Sequence, residues 1–149
     1  MYEIQTKPSL VLEDDDEMGV NAPLIHQRVI SKLHVGLGVL YYHRSEIEYE
    51  PLTETMLGEG VSSPTPDLLL YDNGAEKTRV IIEVCQTRAI RADVEKVIRL
   101  IEGKLYGIEE GFIYNYKTGQ WLRYRLGDNG EAIESSFSLT LNLDLAKFL

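Results

Sequence analysis

Two acids stand where strand burial argues against acids. Asp67 precedes the apolar run Leu68-Leu69-Leu70-Tyr71, and Glu83 follows Val80-Ile81-Ile82. Both runs are apolar at consecutive positions, which predicts strands buried on both faces. Between them Asp72-Asn73-Gly74 supplies turn chemistry, because Asn and Gly tolerate positive φ. A hairpin symmetric about Ala75 sets Leu70 opposite Val80, Leu69 opposite Ile81, Leu68 opposite Ile82 and Asp67 opposite Glu83. Directly opposed residues share one side of a sheet, with Cβ atoms roughly 4.5–5.5 Å apart. Two carboxylates that close in a partly dry site repel, so one must take a proton unless a cation lies between them. A divalent metal ion is the simplest such cation. The competing reading leaves the acids in water at frayed strand ends.

The elements that must hold this pair follow from periodicity. Residues 1–22 read as irregular, with Ser9-Leu10-Val11-Leu12 a short edge strand ended by the acidic run Glu13-Asp14-Asp15-Asp16-Glu17. From Pro23 to about His43, apolar residues recur at helical spacing, with Pro23 in the first turn and Asn21 as its cap. Gly36 and Gly38 within that helix mark either close packing or an early end. Ser45 to Leu57 alternates as a strand, with Glu46, Glu48 and Glu50 on its solvated side. A second helix spans residues 91–105, its apolar stripe being Val94, Val97, Ile98, Ile101 and Leu105. Phe112–Tyr116 and Trp121–Leu126 form a hairpin turning at Lys117-Thr118-Gly119. Asp128-Asn129-Gly130 is a further turn, Phe137 to Leu143 alternates, and Asp144–Leu149 closes as a short helix. The order predicts an α/β fold: a central mixed β-sheet flanked by helices, in one domain over 1–149.

Composition narrows the setting. The chain has 149 residues, 44% hydrophobic and 26% charged, as an ordinary globular domain does. No apolar run is long enough to span a bilayer, and the first residues do not form a basic region followed by an apolar one. The lone Cys85 excludes an internal disulfide and fits a reducing cytoplasm. The net charge of −9 opposes electrostatic binding of nucleic acid, but five of those charges sit in the single run 13–17.

Around the acids lie further groups that suit phosphodiester hydrolysis. That reaction needs a metal to polarise the phosphate, an activated water and a cation to offset developing charge. Asp67 and Glu83 offer the hard oxygen ligands that Mg2+ prefers, and a carbonyl near Val84 can add another. Asp93 and Lys96 lie on the following helix.

Pro66-Asp67, a gap, then Glu83-Val84-Cys85 on an apolar strand resembles the PD-(D/E)XK nuclease superfamily, with its restriction endonuclease-like fold. Within it the chain resembles the Uma-type family of endonucleases. That likeness takes in His26, Pro66-Asp67, Glu83-Val84, Asp93 and Lys96, the strand 110–116 and the tail 139–143, from about residue 22 onward. The resemblance implies a Mg2+-dependent site (Mn2+ as a substitute) with Asp67 and Glu83 as ligands and nucleic acid, chiefly DNA, as substrate. A small nuclease that cuts both strands also fits a homodimer.

One position departs from the superfamily pattern. Its lysine lies two residues after the glutamate, where this chain has Cys85, and a thiol supplies no fixed charge. The Uma-type pattern takes the lysine from the following helix, which makes Lys96 the candidate. At ~100° per residue Lys96 points away from a stripe centred on Val94, Ile98 and Ile101, so its long stem must bend back. Gln86 is the second substitute, although strand alternation turns it from Glu83. Asp93 is either part of the site or a first-turn acid favoured by the helix dipole. His26 either orients water or phosphate or is structural. His34 and His43 lack zinc-ligand spacing. Arg88 and Arg91, close to the helix start, suit phosphate. Arg123, Arg125, Trp121 and Tyr124 either touch nucleic acid or pair across strands. Beside the nuclease stands a second expectation: an inactive member of the same fold that binds or oligomerises, its acids relics.

Overall fold

The computed structural model describes residues 23–60 and 62–149. The irregular stretch, the strand 9–12, the acidic run and the Asn21 cap lie outside the described residues. Pro23 leads directly into helix α1, Leu24–Gly38, which buries Val29, Ile30, Leu33 and Leu37. The helical path runs on through a π turn, Val39–His43, so the expected end near His43 holds while the α-helical part stops at Gly38. Gly36 marks close packing: a Cβ there would lie 2.1 Å from Cδ1 of Phe148.

Among the described residues, six strands form the main sheet in chain order: β1 Glu50–Thr53, β2 Leu68–Asp72, β3 Lys77–Cys85, β4 Glu110–Asn115, β5 Gln120–Arg125 and β6 Ile133–Glu134. Only β3 and β4 run parallel. Their crossover carries a 3-10 turn, Thr87–Ala89, and helix α2, Ile90–Glu102. Strands β7, Phe137–Ser138, and β8, Leu143–Asp144, make a separate small pair, followed by a 3-10 turn over Leu145–Phe148 that the Asp144 carboxylate caps. This is a restriction endonuclease-like α/β fold with a central mixed sheet between helices.

The expected hairpin register is present: Leu68 faces Ile82, Leu69 faces Ile81 and Leu70 faces Val80. A bulge between Leu70 and Tyr71 absorbs the turn. The turn is not set by positive φ at Asn73 or Gly74. Asp72 Oδ1 accepts from the N–H of Gly74 and Ala75 at 3.0 and 3.1 Å, and Glu76 takes the left-handed conformation at φ 58°. The expected strand 45–57 shortens to β1, because Ser45 and Glu54 adopt φ of 55° and 50° and turn the chain at both ends.

Among the described residues, each face of the sheet carries one α-helix. α1 packs with Leu68, Leu70, Val80, Ile82, Val84 and Phe112, whereas α2 packs with Leu69, Ile81, Cys85 and Ile113. Within the expected stripe, the side of α2 against the sheet centres on Val97 and Ile101. Val97 and Ile101 are fully buried, Val94 and Ile98 are half-buried, and Leu105 lies beyond the helix with 74% exposure. The cause is Gly111 on β4. Its absent Cβ leaves room for Val97, whose Cγ1 would lie 2.4 Å from it, and for Ile101 Cδ1 at 3.1 Å. Gly111→Val is therefore expected to lift α2 from the sheet and cost about 1–3 kcal/mol in chemical denaturation. An unchanged midpoint would refute this packing.

Candidate active site

The residue before β2, the last turns of β3 and the N-terminal halves of both helices meet at one edge of the sheet. Asp67 stops just short of the ladder. Its backbone carbonyl accepts from Glu54 N–H at 3.3 Å, and its Oδ2 accepts from Val84 N–H at 2.8 Å. That second bond ties the carboxylate to the strand bearing Glu83. Val84 thus holds Asp67 through its N–H.

Glu83 and Cys85 share a side of β3 by strand alternation, and that side faces α2. The Glu83 side chain is only 6% exposed. Lys96 Nζ lies 3.0 Å from Glu83 Oε2. The approach is electrostatic, since Oε2 has no donor aligned for a hydrogen bond. Lys96 reaches Glu83 from a helix whose sheet-facing side centres on Val97 and Ile101. Burial pushes the Glu83 carboxyl up to about 8, with the charge of Asp67 adding and that of Lys96 opposing.

The other candidates divide. His26 joins the site from α1, its Nε2 3.5 Å from Asp67 Oδ2. Its hydrogen bond to Asp67 raises its pKa above the ordinary 6.5, against the effect of burial. His26 Nδ1 is buried without a partner, and the Tyr116 ring meets the imidazole edge-on at 6.2 Å between centroids. Tyr116 was not singled out from sequence; its position just past β4, where its N–H donates to Cys85 O at 2.9 Å, is the feature that brings it here. Asp93 also joins, half-buried, its carboxyl raised by burial. It bonds the Cys85 thiol, which burial pushes up to about 12. Cys85 is therefore a neutral, buried thiol and supplies no charge. Gln86 is buried beyond β3, where its carbonyl accepts from Ala89 N–H at 2.9 Å. Arg88 and Arg91 are exposed on the 3-10 turn and the first turn of α2, close to the site in sequence.

The β5 residues belong to the frame of the molecule. Trp121 and Tyr124 are buried, so neither ring is open to a base. Arg123 Nη1 donates to Phe137 O at 2.8 Å. Arg125 Nη1 donates to Glu110 Oε2 at 2.9 Å. Glu110, fully buried, also accepts from Ser138 Oγ at 2.5 Å and Leu139 N–H at 3.0 Å. These contacts fix the C-terminal strands to the sheet.

Among the described residues, no group of three or more His, Cys, Asp or Glu side chains is arranged to hold an ion unaided. Two carboxylates with water completing the shell is the way proteins commonly hold Mg2+. The donor set fits such an ion: hard oxygens, one of them (Glu83 Oε2) buried without an aligned donor. Among the described residues, no helix is long and apolar enough to cross a membrane.

Comparison with known proteins places the fold. No protein-family profile matches the chain, and no curated protein matches it either. Among solved structures it is similar to a candidate nuclease belonging to DUF820 from Anabaena variabilis ATCC 29413. That match has a TM-score of 0.56 and 16% identity, and covers 87% of this chain and 78% of the other. A likeness to the DrdV–DNA complex, at TM-score 0.40 and 11% identity over 74% of this chain and 12% of that one, is too distant to carry an argument. The shared fold is that of a nuclease-like α/β domain.

Proposed function

We propose that this chain is a divalent-metal-dependent nuclease of the PD-(D/E)XK type, hydrolysing phosphodiester bonds in DNA, with the Uma-type arrangement of its lysine. The observation that carries the reading is the contact between Lys96 Nζ and the buried Glu83, 3.0 Å apart, on the helix that follows the strand. It supplies from α2 the fixed charge that Cys85 lacks, and so favours an active site over a relic of one.

Asp67 and Glu83 would hold Mg2+ or Mn2+. When bound, such an ion polarises the phosphate and makes a coordinated water more acidic. Lys96 offsets the negative charge that grows on the phosphate oxygens in the transition state. The Val84 N–H fixes the Asp67 carboxylate through Oδ2, and His26 adds a second hold on the same oxygen. Asp93 keeps the Cys85 thiol pinned to α2, which steadies the helix that carries Lys96. Arg88 and Arg91, exposed at the start of α2, are assigned to the backbone of a bound strand in this reading.

The test is cleavage of plasmid and single-stranded DNA by the purified protein with Mg2+ or Mn2+, beside Asp67→Ala and Glu83→Ala. Wild-type cleavage lost on chelation and in both variants is the expected result. Cleavage untouched by the substitutions would overturn the site, and a wild type that neither cuts nor binds either ion would return the chain to the binding-module reading.

A further inference from the structure

The carboxyl ends of β3 and β4 lie side by side, since Cys85 pairs with Asn115 at the last position of their parallel ladder. In α/β sheets a ligand seats outside the carboxyl ends of parallel strands. Two exposed turns leave the sheet there. The 3-10 turn after β3 carries Arg88 and leads into Arg91 on α2, and the turn after β4 carries Lys117. Asn115, only 2% exposed, braces one turn against the other. Its Oδ1 accepts from Lys117 N–H at 2.9 Å, and its Nδ2 donates to Thr87 Oγ1 at 3.0 Å. A buried amide satisfied by both turns fixes the spacing between them.

A second route ties Lys117 to the acids. Its Nζ lies over the Tyr116 ring, 5.9 Å from the centroid, and that ring meets His26 edge-on at 6.2 Å. His26 in turn stands 3.5 Å from Asp67. The cation–π contact steadies a flexible lysine stem. Two rings thus come between the ammonium and the Asp67 carboxylate, so Lys117 stands beside the acid pair and not on it. Tyr116 packs with the α1 core, whereas Arg91 opens the helix on the opposite face. Cations therefore flank the acids from both faces of the sheet. The arginines within β3 and β5 are held elsewhere, Arg79 by Asp72 and Glu109, Arg125 by Glu110. In a chain of net charge −9, holding a polyanion calls for cations gathered at the site itself.

Resting on the nuclease reading, we infer that Lys117 and Arg88 form a two-sided backbone clamp, braced by Asn115, that takes the phosphates flanking the scissile one. Lys117 binds, and leaves the chemical step to Lys96. Because it grips phosphate, the clamp reads no base.

Salt-dependent binding tests it without cleavage. A labelled single-stranded DNA oligonucleotide is titrated by fluorescence anisotropy with the Glu83→Gln protein at several salt concentrations. Adding Lys117→Gln should flatten the slope of log affinity against log salt by about 0.7, alike for every base composition. Lys104→Gln, just past the far end of α2, should leave the slope as it was. Thr87→Val removes the tie to Asn115 but no cation, so it should weaken binding severalfold at an unchanged slope. A slope that Lys117→Gln alters no more than Lys104→Gln does overturns the clamp, and an affinity untouched by Thr87→Val overturns its brace. With Mn2+ and Glu83 intact, Lys117→Gln should raise KM and keep kcat. A fall in kcat at constant KM overturns the binding role while leaving the nuclease reading intact. The flattened slope in a chain that cuts no DNA supports the clamp as a nucleic-acid contact and overturns the nuclease reading alone.

Discussion

Glu83→Gln is expected to abolish cleavage and at the same time to make the metal-free protein more stable at neutral pH. Glu83 is buried, and burial moves its carboxyl from 4.5 to about 8, Asp67 adding to the rise. An acid whose pKa is raised on folding is most favourable to the fold below its unfolded value, and that contribution is lost as pH rises toward the folded one. Apo stability should therefore fall between pH 4.5 and about 8. His26 contributes in the same sense, since its raised pKa gives stability present below 6.5 that is lost above its folded value. The carboxylates held low, Glu50, Asp72, Glu102 and Asp144, act in the opposite sense and only in more acid solution. Glutamine carries no proton to lose, so the variant should gain on the order of 1–3 kcal/mol near neutrality and keep only the parts of the slope that His26 and the raised Asp93 carboxyl contribute. Thermal melts across this pH range with a chelator present decide it. Identical slopes in the two proteins would remove Glu83 as the strained group. Added Mg2+ should reverse the wild-type trend, because it favours the ionised carboxylate. Lys96→Gln separates the roles: it leaves both ligands in place and should slow cleavage by roughly 10²–10³.

Glu110→Ala is expected to cost about 3–5 kcal/mol, because it leaves the Arg125 guanidinium without its buried partner. Glu110 is fully buried and gathers Arg125, Ser138 and the backbone N–H groups of Leu139 and Thr140. Removing it orphans donors on both β5 and the segment that joins β7 to β8. Urea titration gives the size of the loss. Hydrogen exchange gives its location, which should be residues 137–144 more than β2 and β3. A loss spread evenly over the sheet would contradict this role for Glu110.

What could be read in the sequence followed the range of the forces involved. The β2–β3 register was legible because apolar residues at consecutive positions and a two-sided burial allow few alternatives. So were the two acids at its open end, and the helix–strand order around them. The strand 45–57 was overdrawn because alternation of Glu46, Ile47, Glu48 and Tyr49 says nothing about backbone reversal at Ser45 and Glu54. Lys96 was harder. Its reach depends on the roll of α2, and that roll depends on Gly111, a residue on another element with no side chain to announce itself. Glu110 was invisible for the same reason, its partners lying in a tail that returns from 138–140. Arg123 and Arg125, which carry charge that suits nucleic acid, are consumed by that tail.

Glu83 sits in the sheet and Asp67 just before β2, with His26 on the helix above one face and Lys96 on the helix above the other. No single layer contains the set. A partly assembled chain, with either helix undocked, lacks a hold on Asp67 or the cation beside Glu83. On the nuclease reading, cleavage requires both helices to be docked on the sheet. Activity in such an enzyme would report that all three layers have closed.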